Sequence, residues 1–262
     1  MKPLLKWAGG KRWLLPQLYK LWQPYQRYKL VEPFTGGLAV TLGLNPQTAL
    51  LNDANVHLIN FYRQVQKGLK IPFPLKNEEV FYYEMRAYFN ELIRHKKYRN
   101  KTAAALFYYL IKTGFNGLCR FNNSGEFNVP FGQHKTIQYK TDFVEYKKTL
   151  HNWEFCHQDF ECLKLGGNEF LYIDPPYDVE FTKYHSKDFI WKDQLRLAHW
   201  LVKHQGPIVA SNQATPRILA LYDALGFDIY TLSAPRSIAC NGDRRPALEI
   251  LALRNFNPKR NY

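Results

Sequence analysis

The stretch from Glu169 to Asn212 constrains this chain more than any other. Two short apolar runs, Glu169–Asp174 (EFLYID) and Pro207–Asn212 (PIVASN), flank Lys192–His204 (KDQLRLAHWLVKH), whose apolar residues recur at helical spacing. Strand, helix and strand in that order form a βαβ unit. Its commonest setting is a doubly wound α/β sheet with ligands at the carboxyl ends of the strands. Further strand candidates are Lys29–Phe34, Thr48–Asp53, Trp153–His157, Asp228–Ser233 and Ala247–Arg254. Apolar runs without strict alternation suit a sheet covered on both faces. The last two lie close together in sequence, which predicts an antiparallel hairpin at the sheet edge.

A chain of 262 residues can bury a core without metal or disulfide staples. It allows one large domain or a domain with an insertion. The segment Val56–Ile137 has few strand-like runs, and Phe81–Leu92 and Thr102–Lys112 read as helices. It carries 13 Lys and Arg against 5 Asp and Glu, which is more than its share of a formal net charge of +14. We read 56–137 as a basic insertion between two parts, 1–55 and 138–262, of one α/β domain. Such charge favours a polyanionic partner, because Lys and Arg displace counterions from phosphates. Aromatic residues reach 16%, and beside a basic surface they offer stacking platforms for bases. The four cysteines, Cys119, Cys156, Cys162 and Cys240, form no CxxC pair and no zinc pattern, so no metal is expected. They read as reduced thiols of a cytoplasmic protein. Neither a secretory leader nor a membrane span is expected.

Chemistry concentrates in four places. In Phe170–Tyr177 (FLYIDPPY) an apolar strand delivers Asp174, Pro175, Pro176 and Tyr177 at its carboxyl end. The prolines stiffen the turn and remove two N–H donors. The Asp174 carboxylate and the Pro175 carbonyl are then two outward acceptors, with the Tyr177 ring alongside. That set suits a planar exocyclic amine. Such an amine is a poor nucleophile because its lone pair is delocalised, and acceptors set off the ring plane favour a pyramidal nitrogen. A proline-rich turn with a solvent-facing aspartate is the plainer alternative.

Val31–Gly37 (VEPFTGG) is another strand running into a glycine turn, where backbone N–H groups can approach a ligand. Asp53, at the end of Leu50–Asn55 (LLNDAN), is placed to accept both hydroxyls of a ribose, or else to cap a helix. The turn is not G-x-G-x-x-G, so the pair suggests an adenosine-containing cofactor rather than a dinucleotide. Leu5–Lys11 (LKWAGGK) suits a loop wrapped on a ligand, or a basic tail over the sheet edge. Gly114–Gly132 (GFNGLCRFNNSGEFNVPFG) is either an aromatic-packed β-hairpin or a nucleic-acid reader. In the second case Arg120 addresses a guanine edge and Phe115 wedges into the base stack.

At these segments the sequence resembles the Dam-type DNA adenine-N(6) methyltransferases, the α class with a DPPY motif. The match is collinear: LKWAGGK, EPFTGG, NDAN, the GFNGLCRFN…GEFNVPFG stretch, DPPY, FTKYH (Phe181–His185), SN (Ser211–Asn212) and RSIACNGDRR (Arg236–Arg245). The resemblance implies a Rossmann-like, S-adenosylmethionine-dependent α/β domain. It also implies an inserted, mostly helical DNA-recognition domain carrying a β-hairpin. By motif position, Trp7, Lys11, Phe34, Asp53 and Asp174 contact the cofactor. Asp174, Pro175 and Tyr177 serve the target adenine. Lys6, Phe115, Asn116, Leu118, Arg120 and Pro130 address double-stranded DNA, with GATC as the site, and a cognate restriction endonuclease is a further partner the resemblance allows. Two positions depart from the pattern: Leu38 stands where many relatives carry glycine, and His134 where relatives often carry tyrosine.

Two other readings remain open. One is methylation of a different planar amine, such as cytosine N4, an RNA adenine or a protein glutamine. The other is a non-catalytic DNA-binding protein on the same scaffold.

Overall fold

The computed structural model describes residues 1–178, 189–234 and 247–256. All seven apolar runs are strands of a mixed α/β sheet: β1 (Leu30–Glu32), β2 (Ala49–Asn52), β3 (Trp153–Cys156), β4 (Phe170–Ile173), β5 (Ile208–Gln213), β6 (Asp228–Ala234) and β7 (Ala247–Arg254). The helices are α1 (Leu15–Trp22), α2 (Ala39–Leu44), α3 (Val56–Gln66), α4 (Glu79–Arg94), α5 (Lys101–Thr113), α6 (Val144–Thr149), α7 (Trp191–Leu201) and α8 (Pro216–Ala224). The chain divides into two compact units.

One unit comprises Lys11–Thr35, Pro46–Asn52 and Gln158–Tyr262. It holds six strands in the order β2-β1-β4-β5-β7-β6. β2, β1, β4 and β5 run parallel, with Leu30 opposite both Ala49 and Phe170, and Leu171 opposite Ile208. Their residues are buried almost without exception, which is why these runs show no alternation. β7 runs antiparallel to both β5 and β6, so the closing hairpin stands at the edge with β6 outermost. As befits an edge, β6 is half exposed, and Tyr230 faces solvent. Phe170 anchors α1 to the sheet, with Trp22 packed edge-on at 5.0 Å between ring centres. The order reverses between β1 and β4, and the carboxyl ends of strands beside such a reversal form the ligand crevice of a doubly wound sheet. The glycine turn follows β1 and Asp174 follows β4.

The other unit comprises Met1–Gly10, Gly36–Asn45 and Asp53–His157, and contains all of 56–137. The expected helices Phe81–Leu92 and Thr102–Lys112 lie within α4 and α5. α5 is buried on nearly every face from Ala103 to Ile111, as a helix at the centre of a core must be. Phe61 of α3 stacks on Tyr108 of α5 at 5.6 Å and 9°. The Gly114–Gly132 stretch closes through two isolated antiparallel bridges, Gly114 to Phe131 and Phe121 to Phe127, rather than a continuous hairpin ladder. Asn116 and Gly117 adopt left-handed backbone (φ 52° and 66°), and Pro130 has no N–H to donate, so the pairing is interrupted.

Among the described residues no helix is long and apolar enough to cross a membrane, and no group of His, Cys, Asp and Glu is arranged to hold a metal.

Candidate active site

Asp174 leaves the end of β4 with its carboxylate only partly buried. Its Oδ1 accepts from Ser211 Oγ at 2.9 Å and lies 3.1 Å from Lys11 Nζ. Lys11 is itself buried, sits 4.5 Å over the Tyr177 ring, and reaches Glu249 Oε2 at 3.8 Å. Tyr177 donates its hydroxyl to the same Glu249 oxygen at 2.6 Å. Two acids therefore share one lysine. Burial pushes the pKa of both Asp174 and Glu249 up, and Lys11 opposes the shift. Burial beside these acids also drives the Tyr177 phenol up, so it stays a neutral donor.

The turn that follows is held by its backbone. The Pro176 carbonyl accepts from Gln194 Nε2 at 2.9 Å. The Pro175 carbonyl meets no hydrogen-bond donor among the described residues. Beyond Tyr177, the buried Asp178 binds Thr215 and, through both carboxylate oxygens, Arg217. Phe34, at the other strand end, packs on Phe160 and Phe189 at 5.6 and 5.4 Å. Asn52, 1% exposed, ties the turn after β1: its Nδ2 donates to the Pro33 carbonyl at 3.0 Å, and its own carbonyl accepts from Thr35 N at 2.8 Å.

The remaining cofactor candidates lie in the unit that contains 56–137. Asp53 Oδ2 accepts from Gly36 N at 3.0 Å and Oδ1 from Asn55 N at 2.9 Å. Burial raises its pKa while these two N–H groups lower it. Asp53 is not the helix cap. That role belongs to Asn55, whose Oδ1 accepts from His57 N and Leu58 N at the start of α3. Trp7 lies directly against the glycine turn, so LKWAGGK is more than a loose basic tail. A Cβ on Gly37 would stand 2.8 Å from Trp7 Cβ, and one on Gly36 3.1 Å from the indole. Leu38 is buried at φ 60°, the left-handed conformation that glycine adopts at no steric cost. Leucine there costs about 1–2 kcal/mol of backbone strain.

The same unit brings together every residue that motif position assigns to DNA. Gly117 packs on Lys6, where an added Cβ would meet Lys6 Cβ at 3.0 Å. Phe115 is a large apolar side chain left 46% exposed, and its N–H donates to the Pro130 carbonyl at 2.9 Å. Asn116, Arg120 and Pro130 are exposed, and Leu118 is half-buried. Arg120 is preset by Asn128, which accepts from Nε at 2.8 Å through its side chain and from Nη2 at 3.2 Å through its carbonyl. His134 uses its ring to bind the Gly114 carbonyl at 3.1 Å, a structural role within the loop.

Sequence reading missed what fixes this loop. Tyr82 and Arg86 both donate to the Val129 carbonyl, Asn90 exchanges two hydrogen bonds with the backbone of Phe127, and Arg94 pairs with Glu126. These four residues recur at every fourth position of α4 and so share one face; that spacing was the available signal. It likewise missed Gln194 and Glu249, for which the signal was a lone polar residue at an otherwise apolar position. FTKYH and RSIACNGDRR lie outside the described residues.

Residues 7–238 match the D12 class N6 adenine-specific DNA methyltransferase family. The retron Ec67 DNA adenine methylase of Escherichia coli is 32% identical, covering 97% of this chain and 91% of its own length. The DNA adenine methylase of Escherichia coli strain K12 is also 32% identical, with 96% and 95% covered. A DNA N-6-adenine-methyltransferase of Escherichia phage P1 is 34% identical over 93% of this chain, which spans only about a third (34%) of that longer protein. The two bacterial relatives match over nearly their whole length and the family match covers most of the sequence, so the chain belongs to the D12 class of N6 adenine-specific DNA methyltransferases.

Proposed function

We infer that this chain methylates the N6 amine of an adenine in duplex DNA, with S-adenosylmethionine as donor and GATC as target. One observation carries the site assignment. The Asp174 carboxylate, fixed by Ser211 and Lys11, is followed at once by a backbone carbonyl that no described donor occupies. Two acceptors on consecutive residues match the two hydrogens of one exocyclic amine.

The donor supplies a methyl group on a positively charged sulfur. The residues fit such a molecule. Each Asp53 oxygen already takes one backbone N–H and keeps lone-pair capacity for a ribose hydroxyl. A side chain at Gly36 or Gly37 would run into Trp7, so only bare backbone lets this turn close against the indole. Asp174 and Glu249 set two acids around the one Lys11 ammonium, an acid-rich setting that suits a cation when both are ionised.

Asp174 and the Pro175 carbonyl bind the amine and draw its hydrogens out of the base plane, turning the nitrogen lone pair toward the methyl group. Tyr177 stacks on the base, with its hydroxyl held by Glu249. Methylation would form one N–C bond as the methyl–sulfur bond breaks, the sulfur keeping the bonding pair and leaving as a neutral thioether, and the amine nitrogen would give up one proton to solvent. Alignment and exclusion of water carry most of the acceleration. An adenine inside a duplex cannot reach such a site, so the base is extruded. Phe115 fills the vacated stack, and Arg120, Leu118, Pro130 and Lys6 read the flanking bases while Asn116 lies on the same turn.

The test is incubation of unmodified plasmid with the enzyme and S-adenosylmethionine, then sequencing for modified bases. N6-methyladenine confined to GATC is expected. Adenine methylation at another sequence would refute the target, and N4-methylcytosine would refute the substrate.

A further inference from the structure

The Ser211-Asn212 pair at the tip of β5 is part of the recognised motif set, yet only Ser211 has a role in the reading above. Asn212 is fully buried, and its Nδ2 donates to Gln194 Oε1 at 3.0 Å. Gln194 is 1% exposed and passes the interaction on, since its Nε2 donates to the Pro176 carbonyl at 2.9 Å. The relay has one direction. Asn212 Oδ1 is occupied by Gln213 N at 2.8 Å, which leaves its NH2 group to face Gln194. The Gln194 amide must then turn its oxygen to Asn212 and its nitrogen to Pro176.

Gln194 shares the buried face of α7 with Leu197, Ala198 and Leu201. An apolar residue would satisfy that face, and a buried amide is tolerated only where each of its groups is paired. Here the pairing falls on one of two successive carbonyls in the Asp174–Tyr177 turn. Occupation of the Pro176 carbonyl fixes the plane of the Pro176–Tyr177 peptide. It also leaves the Pro175 carbonyl as the acceptor beside Asp174. Ser211 holds the other flank of the same turn through the carboxylate, so neighbouring residues of one strand end grip it from both sides.

We propose that Gln194 is a positioning residue for methyl transfer: through the Asn212–Gln194–Pro176 relay it determines that the Pro175 carbonyl receives the target amine. This rests on the assignment of Asp174 and Pro175 to that amine. Gln194 touches neither substrate nor donor in this role, so its loss is expected in kcat and not in binding.

The experiment compares wild type, Gln194→Met, Gln194→Glu and Asp174→Ala in steady-state methylation of duplex DNA across pH. Gln194→Met keeps length and removes the donor. It should lower kcat by about 10-fold or more, as small misplacements at a reacting centre do, with KM for DNA and for S-adenosylmethionine within about twofold of wild type. Gln194→Glu still accepts from Asn212 but can donate to Pro176 only when protonated. Its activity relative to wild type should therefore rise as pH falls, and should exceed that of Gln194→Met at low pH. A Gln194→Met kcat within about twofold of wild type, or a Gln194→Glu variant no more active than Gln194→Met at any pH, overturns the proposal. If Gln194→Met does not fold, the Gln194→Glu ratio decides alone: a rise toward low pH supports the relay and a flat ratio refutes it. Near-normal activity in Asp174→Ala would instead break the underlying assignment. A dead Asp174→Ala beside wild-type-like Gln194 variants would break only the relay.

Discussion

His57 should make the protein acid-labile. Its ring lies buried among aromatic side chains, stacked on Phe121 at 5.0 Å and 17° and edge-on to Phe89 and Tyr98 at 5.1 Å each. Its Nδ1 has no hydrogen-bond partner among the described residues. Burial, helped by the nearby His157, pulls its pKa from 6.5 down to about 4. The sign follows directly. An unfolded chain takes up a proton at this histidine below pH 6.5, whereas the folded one refuses it until about pH 4. Stability is therefore fully present above 6.5, is lost as pH falls between those values, and then levels off. The gap corresponds to about 3 kcal/mol. At a urea slope of about 3 kcal/mol per M, that moves the unfolding midpoint by about 1 M. Phe121 directly follows Arg120, so a charged imidazole would push on the loop that carries the residues proposed to read bases. Urea titrations at pH 7 and pH 4.5 should show the wild type losing more than His57→Phe by most of that amount. His57→Phe should be at least as stable as wild type at pH 7, because it removes a buried nitrogen without a partner. Parallel losses in the two proteins would refute the reasoning.

Gly37→Ala drives a Cβ to 2.8 Å of Trp7 and should weaken S-adenosylmethionine binding by about 10-fold or more, since backbone cannot be displaced cheaply; calorimetry reads it, and unchanged affinity would exclude the glycine turn from the cofactor site. Asn90→Leu leaves Phe127 N and the Phe127 carbonyl without partners. It should cost about 2–4 kcal/mol of stability, measured by denaturant titration, and should raise KM for DNA more than KM for the donor. Arg120→Ala should lose about 1–3 kcal/mol of discrimination at one base pair, read as relative kcat/KM on single-substitution duplexes. An equal loss on all sequences would make Arg120 a phosphate contact.

The sheet was legible because its parallel strands β1, β2, β4 and β5, buried on both faces, read as apolar runs without alternation. The Asp174–Tyr177 turn was legible because an acid and two prolines after such a run have few structural uses. Its supports were not. Ser211, Gln194 and Glu249 reach it only through the strand order β4-β5-β7 and the helix packed behind, and no local pattern states that order. Asp53 was ambiguous because aspartate and asparagine both cap helices, and two residues of register decided for Asn55. The Gly114–Gly132 stretch read either as an aromatic-packed hairpin or as a nucleic-acid reader, and the resemblance implied a hairpin. Left-handed backbone at Asn116 and Gly117, together with Pro130, leaves it two bridges instead of a ladder. The row Tyr82, Arg86, Asn90 and Arg94 was visible as spacing, but a polar stripe on a helix usually meets water, and here it meets a backbone.

The most direct measurement is single-turnover methylation of an unmodified duplex at saturating S-adenosylmethionine, with nucleosides identified after digestion, for wild type and Asp174→Ala across pH. Wild type should yield N6-methyladenine, with an acid limb displaced upward from that of an ordinary aspartate because burial raises the Asp174 pKa and the ionised form must accept from the amine. Asp174→Ala should fall by about 100-fold or more. An Asp174→Ala rate near wild type, or a methyl group found on any other base, would contradict the assignment of this carboxylate to the target amine.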